Sequence, residues 1–151
     1  MSLKQTLQQD LTAAMRAREQ TVTATIRMVL TAITNEEVAG TEHRELTDAD
    51  VQRVLTREAK KRREAATAYR DAKRPELADR EEAELAVIEG YLPAQLSEEE
   101  LAALVAQAVA QVGATGMPQL GQVMKVAQPL VAGRAEGGRV AAAVRAALTG
   151  G

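Results

Sequence analysis

Cysteine, phenylalanine and tryptophan are all missing from this chain of 151 residues, and it has a single histidine. Without cysteine there is no disulfide framework, no thiolate nucleophile and no Cys-based zinc site. The same absence fits a reducing compartment. Only Tyr69 and Tyr91 carry aromatic side chains of the phenyl type, too few to stack a run of single-stranded bases. The core therefore has to come from Leu, Val, Ile, Ala and Met, a set that suits closely packed helices. His43 stands in a polar stretch beside Glu42, Arg44 and Glu45, without metal-ligand spacing, and reads as a solvated loop residue. Glycine-rich phosphate loops, nucleophile elbows and His-Glu-x-x-His patterns are all absent. Carboxylate pairs such as Glu81-Glu82 read as solvated helix faces. No catalytic residue, metal ligand or cofactor site is expected.

Met1-Ser2-Leu3-Lys4-Gln5 lacks the apolar run of a leader peptide, and no stretch reaches membrane-spanning length. The expectation is a cytoplasmic protein with no membrane partner. Hydrophobic residues make up 46% and charged residues 26%, the balance of a packed domain rather than a disordered segment. The net charge of −2 argues against a nucleic-acid binder that works by bulk charge. The distribution is uneven, however. From Gly113 onward the cations Lys125, Arg134, Arg139 and Arg145 face Glu136 alone.

Hydrophobic spacing predicts helices along the whole chain. Ser2 with Gln5 reads as a capping box ahead of Leu3, Leu7, Leu11, Ala14 and Met15. Val22, Ile26, Val29, Leu30 and Ile33 share one face of a second helix that stops near Gly40. After a polar loop, Thr47 with Asp50 opens a long helix towards Asp71, and Pro75 suits the first turn of the next. Gly90 and Pro93 then interrupt the pattern, and Ser97 with Glu100 restarts it. Beyond this joint lie a helix ended by Gly113, another begun near Pro118 that Pro129 should distort or end, and a last one after Gly137-Gly138. The fold class is all-α: an elongated helical domain over residues 1–91 and a three-helix tail over residues 92–151. The joint is too short for a flexible tether.

Two places could carry function. On the long helix, Val51, Leu55, Ala65, Ala66 and Tyr69 share a face with Glu58 and Arg62 in its middle. Charges on an apolar stripe are costly unless paired or met by a polar partner. Glu58 and Arg62 have the favourable i,i+4 spacing, so either an internal ion pair or a polar groove for a partner would explain them. Arg53, Arg57, Lys60, Lys61 and Glu64 form a mainly basic stripe around the side; it is either a solvated face or a phosphate contact. In the tail, Gly133-Arg134-Ala135-Glu136-Gly137-Gly138-Arg139 either just allows a turn or offers backbone N–H groups and two arginines to an anion.

The joint, the Gly-Arg-Ala-Glu-Gly turn and the helix Gln119-Leu120-Gly121-Gln122-Val123-Met124 together resemble the YqeY family. Arg44-Glu45-Leu46-Thr47, the stretch from Glu58 to Arg63, and Glu81-Glu82-Ala83-Glu84-Leu85 extend the resemblance over the full chain. From about Leu92 onward the chain also resembles the tail of GatB, the B subunit of the tRNA-dependent amidotransferase. The resemblance implies an all-helical fold and a tail that helps hold tRNA. Glutamine hydrolysis and ATP-dependent transfer belong to other domains and subunits of that enzyme, and they have no counterpart here. The family label of carbon–nitrogen ligase with glutamine as amido donor then reads as inherited through the shared tail. Two departures stand out: Gln119-Leu120-Gly121-Gln122 replaces an expected Asp-Met-Gly-Lys-like entry, and Glu136 stands where Asp, a better N-cap, is expected.

The resulting expectation is a non-catalytic accessory protein whose tail contacts folded tRNA. Lys125, Arg134, Arg139 and Arg145 would reach phosphates, and Gly133, Gly137 and Gly138 would let the backbone approach. The alternative is an adaptor. There Arg57, Glu58, Lys60, Lys61 and Arg62 would dock a protein of the translation or amidotransferase machinery.

Overall fold

The computed structural model describes residues 1–150. Among them are seven α-helices, a single 3-10 turn at Met117–Gln119 and no strand. Four helices lie before the joint: α1 (Leu3–Ala17), α2 (Gln20–Glu37), α3 (Asp48–Asp71) and α4 (Pro75–Glu89). Three follow it: α5 (Glu98–Val112), α6 (Leu120–Val131) and α7 (Gly137–Thr149). The chain divides into two compact units, Met1–Leu92 and the part from Pro93 onward. Leu92, expected at the head of the tail, packs on the core of the first unit.

Local signals set most of the boundaries. Ser2, Thr47 and Ser97 each close a full capping box, with Gln5, Asp50 and Glu100 returning the bond. Each box satisfies two backbone donors that a helix start leaves open. At the far end of α5, Gly113 takes the left-handed conformation, φ 71°, which costs glycine nothing. Two boundaries fall close to their sequence signals without coinciding with them. Pro129 does not stop α6, which runs on to Val131. Proline in the last turn forfeits one backbone bond, and the buried Ala127 and Val131 on either side hold that turn down. The last helix also starts on Gly137 itself rather than after the glycine pair.

In the first unit Leu7, Ile26, Val29, Ile33, Val51, Val54, Leu55 and Ile88 meet around Ala59. Burying each large aliphatic side chain is worth about 1.5–3 kcal/mol. The second unit has its own core of Leu96, Leu101, Val105, Val123, Val131, Val140 and Val144, closed by Ala108 and Ala127. These alanines are fully buried, as are Ala59 and Ala78, so small side chains sit where helices approach and no aromatic ring is needed to fill space. No single helix among the described residues is long and apolar enough to cross a membrane.

A buried carboxylate fastens the α2–α3 loop. Glu37 is only 3% exposed and accepts both a bifurcated bond from Lys4 Nζ (2.9 and 3.1 Å) and a long one from the Leu46 N–H (3.4 Å). Asp48 accepts from the Leu3 N–H at 2.9 Å, so α3 supplies the acid that the first turn of α1 lacks. The Lys4 ammonium holds the Glu37 carboxyl below its usual value, with smaller help from the Leu46 N–H and His43, against the opposing pull of burial. A carboxyl lowered by folding stabilises the native state above its unfolded value and loses that contribution as pH falls through the folded value. Thermal stability should therefore hold at pH values above the ordinary carboxyl value of 4.5 and fall as pH drops below it. Glu37→Gln should lower the plateau and flatten that fall; an acid limb unchanged in the variant would contradict this role.

Candidate nucleic-acid interface

The turn between α6 and α7 is built by backbone conformation. Ala132 (φ 52°) and Gly133 (φ 76°) are consecutive left-handed residues, so α6 ends abruptly and the chain reverses into Arg134. Only glycine adopts this conformation without steric cost, which explains why Gly133 follows the alanine. A Cβ added at Gly133 or Gly137 would meet nothing within 4 Å, and one at Gly138 would meet Glu136 Oε1 at 3.5 Å. Glu136 is the N-cap of α7 and makes no side-chain cap bond.

Arg134 and Arg139 converge on one short segment. Arg134 Nε donates to the Ala94 carbonyl at 3.0 Å, and Arg139 Nη2 donates to the Leu96 carbonyl at 2.9 Å. The Leu96 N–H returns a 2.7 Å bond to the Arg134 carbonyl. Both guanidiniums thus lie over residues 94–96, whose one large apolar member, Leu96, is buried in the tail core. They also meet the start of α5: Arg139 Nη2 and Nε donate to Glu98 Oε1 at 2.7 and 3.2 Å, and Arg134 Nη2 lies 3.9 Å from Glu100 Oε2. Ser97, through its N–H and hydroxyl, holds the Glu100 carboxyl below its usual value, with a smaller push from Arg134.

Lys125 on α6 and Arg145 on α7 are exposed. Neither makes an ion pair with a described residue. The tail cations therefore form two classes: a convergent arginine pair already bonded to carbonyls and carboxylates, and two outlying charges. Sequence reasoning missed Glu98 and Glu100 as neighbours of the arginines. Their signal was visible only as a helix start, and the contact spans 41 residues for Glu98–Arg139.

On α3 the charges have a different setting. Glu58 (6% exposed) and Arg62 (7% exposed) point inward. Arg62 Nη1 donates to Glu58 Oε1 and to the Glu58 carbonyl, both at 3.3 Å. Arg62 Nε lies 3.5 Å from Glu84 Oε2 on α4, too far for a good hydrogen bond, and has no other partner. Nη2 meets Met28 Sδ on α2. Arg62 thus joins three helices. Lys61 Nζ reaches the second Glu58 oxygen at 3.0 Å from outside. Arg57, Lys60 and Lys61 are exposed, Arg57 being paired with Glu36 at 3.3 Å and Arg53 with Asp50. A partner approaching this face would meet Arg57, Lys60 and Lys61, with Glu58 and Arg62 beneath them.

The remaining single histidine, His43, lines an open depression of about 610 Å³ with Glu36, Glu37, Glu42 and Arg44. No group of three His, Asp or Glu side chains among the described residues is placed to hold a metal ion.

Comparison with known proteins places the sequence in a family. An uncharacterized protein of Schizosaccharomyces pombe is 32% identical over 97 residues, covering 64% of this chain and 76% of its own length. The family described as Yqey-like protein matches residues 4–148. That match takes in the joint, the α6–α7 turn and nearly all of α1 and α7, and the chain belongs to the YqeY-like family.

Proposed function

We propose that this chain is a non-catalytic accessory protein that binds folded tRNA through its tail. The observation that carries this reading is the convergence of Arg134 and Arg139 on one edge of the tail, beside a glycine-bearing turn open to a ligand. Planar guanidiniums present forked donors that match phosphate oxygens two at a time. Lys125 and Arg145 add exposed charge that no acid among the described residues neutralises. With only Tyr69 and Tyr91 in the chain, both outside the tail, stacking on unpaired bases contributes little. Recognition is of backbone shape and charge, as is usual for structured RNA.

Gel-shift assays with a folded tRNA transcript and a poly-A strand of equal length test the reading. The folded RNA should bind at least several-fold more tightly at low salt. Equal binding to both would leave only non-specific attraction, and no complex with either would remove the reading.

The outward line of Arg57, Lys60 and Lys61 on α3 favours a second reading, an adaptor that docks another protein. Retention of partners from a lysate treated with RNase separates the two. Partners that survive treatment and are lost on Arg57→Ala/Lys61→Ala belong to the adaptor; partners that vanish with the RNA do not.

A further inference from the structure

We propose that Glu98 and Glu100 occupy the arginine pair as internal stand-ins for phosphate, so that the first turn of α5 sets how tightly the tail takes its RNA. This deepens the tRNA reading above and rests on it. The geometry is that of a competitor. Glu98 Oε1 accepts from both Nε and Nη2 of Arg139 at 3.2 and 2.7 Å, the side-on grip that a guanidinium also gives a phosphate oxygen. The Glu98 side chain is otherwise 84% exposed and has no other partner among the described residues. Its position is held by Arg139 alone.

Glu100 is tied more firmly, because its Oε1 also accepts the Ser97 N–H at 3.0 Å in the capping box, while its Oε2 faces Arg134 at 3.9 Å. An incoming RNA must therefore displace Glu98 outright and share Arg134 with a fixed Glu100. The carbonyls of Ala94 and Leu96 keep both guanidiniums in place while the carboxylates leave. The arginines are thus pre-positioned, and the acids lower affinity by a set amount. Exposed ion pairs of this kind are weak, so the restraint is modest and readily reversed.

Glu99 supplies the control, since it lies between the two, carries the same charge and is exposed with no cationic partner among the described residues. Folded tRNA transcript is titrated into the full-length wild type and into Glu98→Gln, Glu99→Gln and Glu98→Gln/Glu100→Gln at one low salt concentration. Gln at position 100 keeps the capping box, and thermal melts verify that each variant folds. Losing a weak exposed pair should tighten binding about two- to five-fold for Glu98→Gln beyond the change seen for Glu99→Gln. The double variant should gain at least as much. Equal gains at 98 and 99 would reduce the effect to net charge and overturn the proposal while leaving tRNA binding intact. No complex with any of the four proteins would overturn both.

Discussion

Arg62→Leu should lower the stability of the Met1–Leu92 unit by about 3 kcal/mol, the low end of the cost of breaking a buried ion pair, because Lys61 still reaches Glu58 from outside. The Glu58 carboxylate, buried in the wild type, would keep the outer Lys61 at 3.0 Å and lose its inner partner, and Glu84 would lose the positive charge at 3.5 Å. Glu58→Gln/Arg62→Leu should recover more than half of the loss, because removing both charges also removes both desolvation costs. The readout is convenient: Tyr69 and Tyr91 both lie in this unit, so tyrosine fluorescence in a urea titration follows it without signal from the tail. Tyr91 donates to Asp10 on α1 at 2.5 Å, which makes its emission sensitive to that helix leaving. A loss below about 1 kcal/mol for the single variant would mean that Arg62 acts as an ordinary surface residue.

The second large effect belongs to the tail. Arg134→Gln/Arg139→Gln should weaken tRNA binding about 100-fold at low salt, about tenfold for each lost charge-assisted contact of roughly 1.4 kcal/mol. These arginines also hold residues 94–96, so a fall in affinity could arise indirectly. Arg134→Lys/Arg139→Lys separates the causes. Lysine keeps the charge but not the fork that reaches carbonyl and anion together. If phosphate contact dominates, the lysine variant should regain the salt dependence and part of the affinity, the rest being lost with the fork; if holding the segment dominates, it should bind as poorly as the glutamine variant. Lys125→Ala and Arg145→Ala should each cost less, since neither belongs to the convergent pair.

The helices were legible because their signals are local. Three capping boxes, Pro75 in a first turn and Gly113 after a last one each act within four residues. The i,i+4 spacing of Glu58 and Arg62 on an apolar face was also visible, and so was the choice between an internal pair and a polar groove. Their burial was not, because it depends on Glu84 and Met28 from two other helices. In the tail, the glycine turn and its two arginines stood out by composition. The acids opposite them did not, since Glu98-Glu99-Glu100 serves equally well as the favourable acidic first turn of α5. Pro129 marked the end of α6 to within two residues, since the helix stops at Val131.

The central claim is that the tail holds folded RNA by its phosphates, and salt dependence tests it most directly. Titrating folded tRNA transcript into the full chain between about 50 and 200 mM salt should give a complex at the low end. Its affinity should fall as a straight line in log–log form, by about 0.9 per phosphate contacted. Two to four contacts from Arg134, Arg139, Lys125 and Arg145 predict a slope of about −2 to −4, reduced by about 2 in Arg134→Gln/Arg139→Gln. No complex at low salt, or a slope the double variant leaves unchanged, would contradict the account.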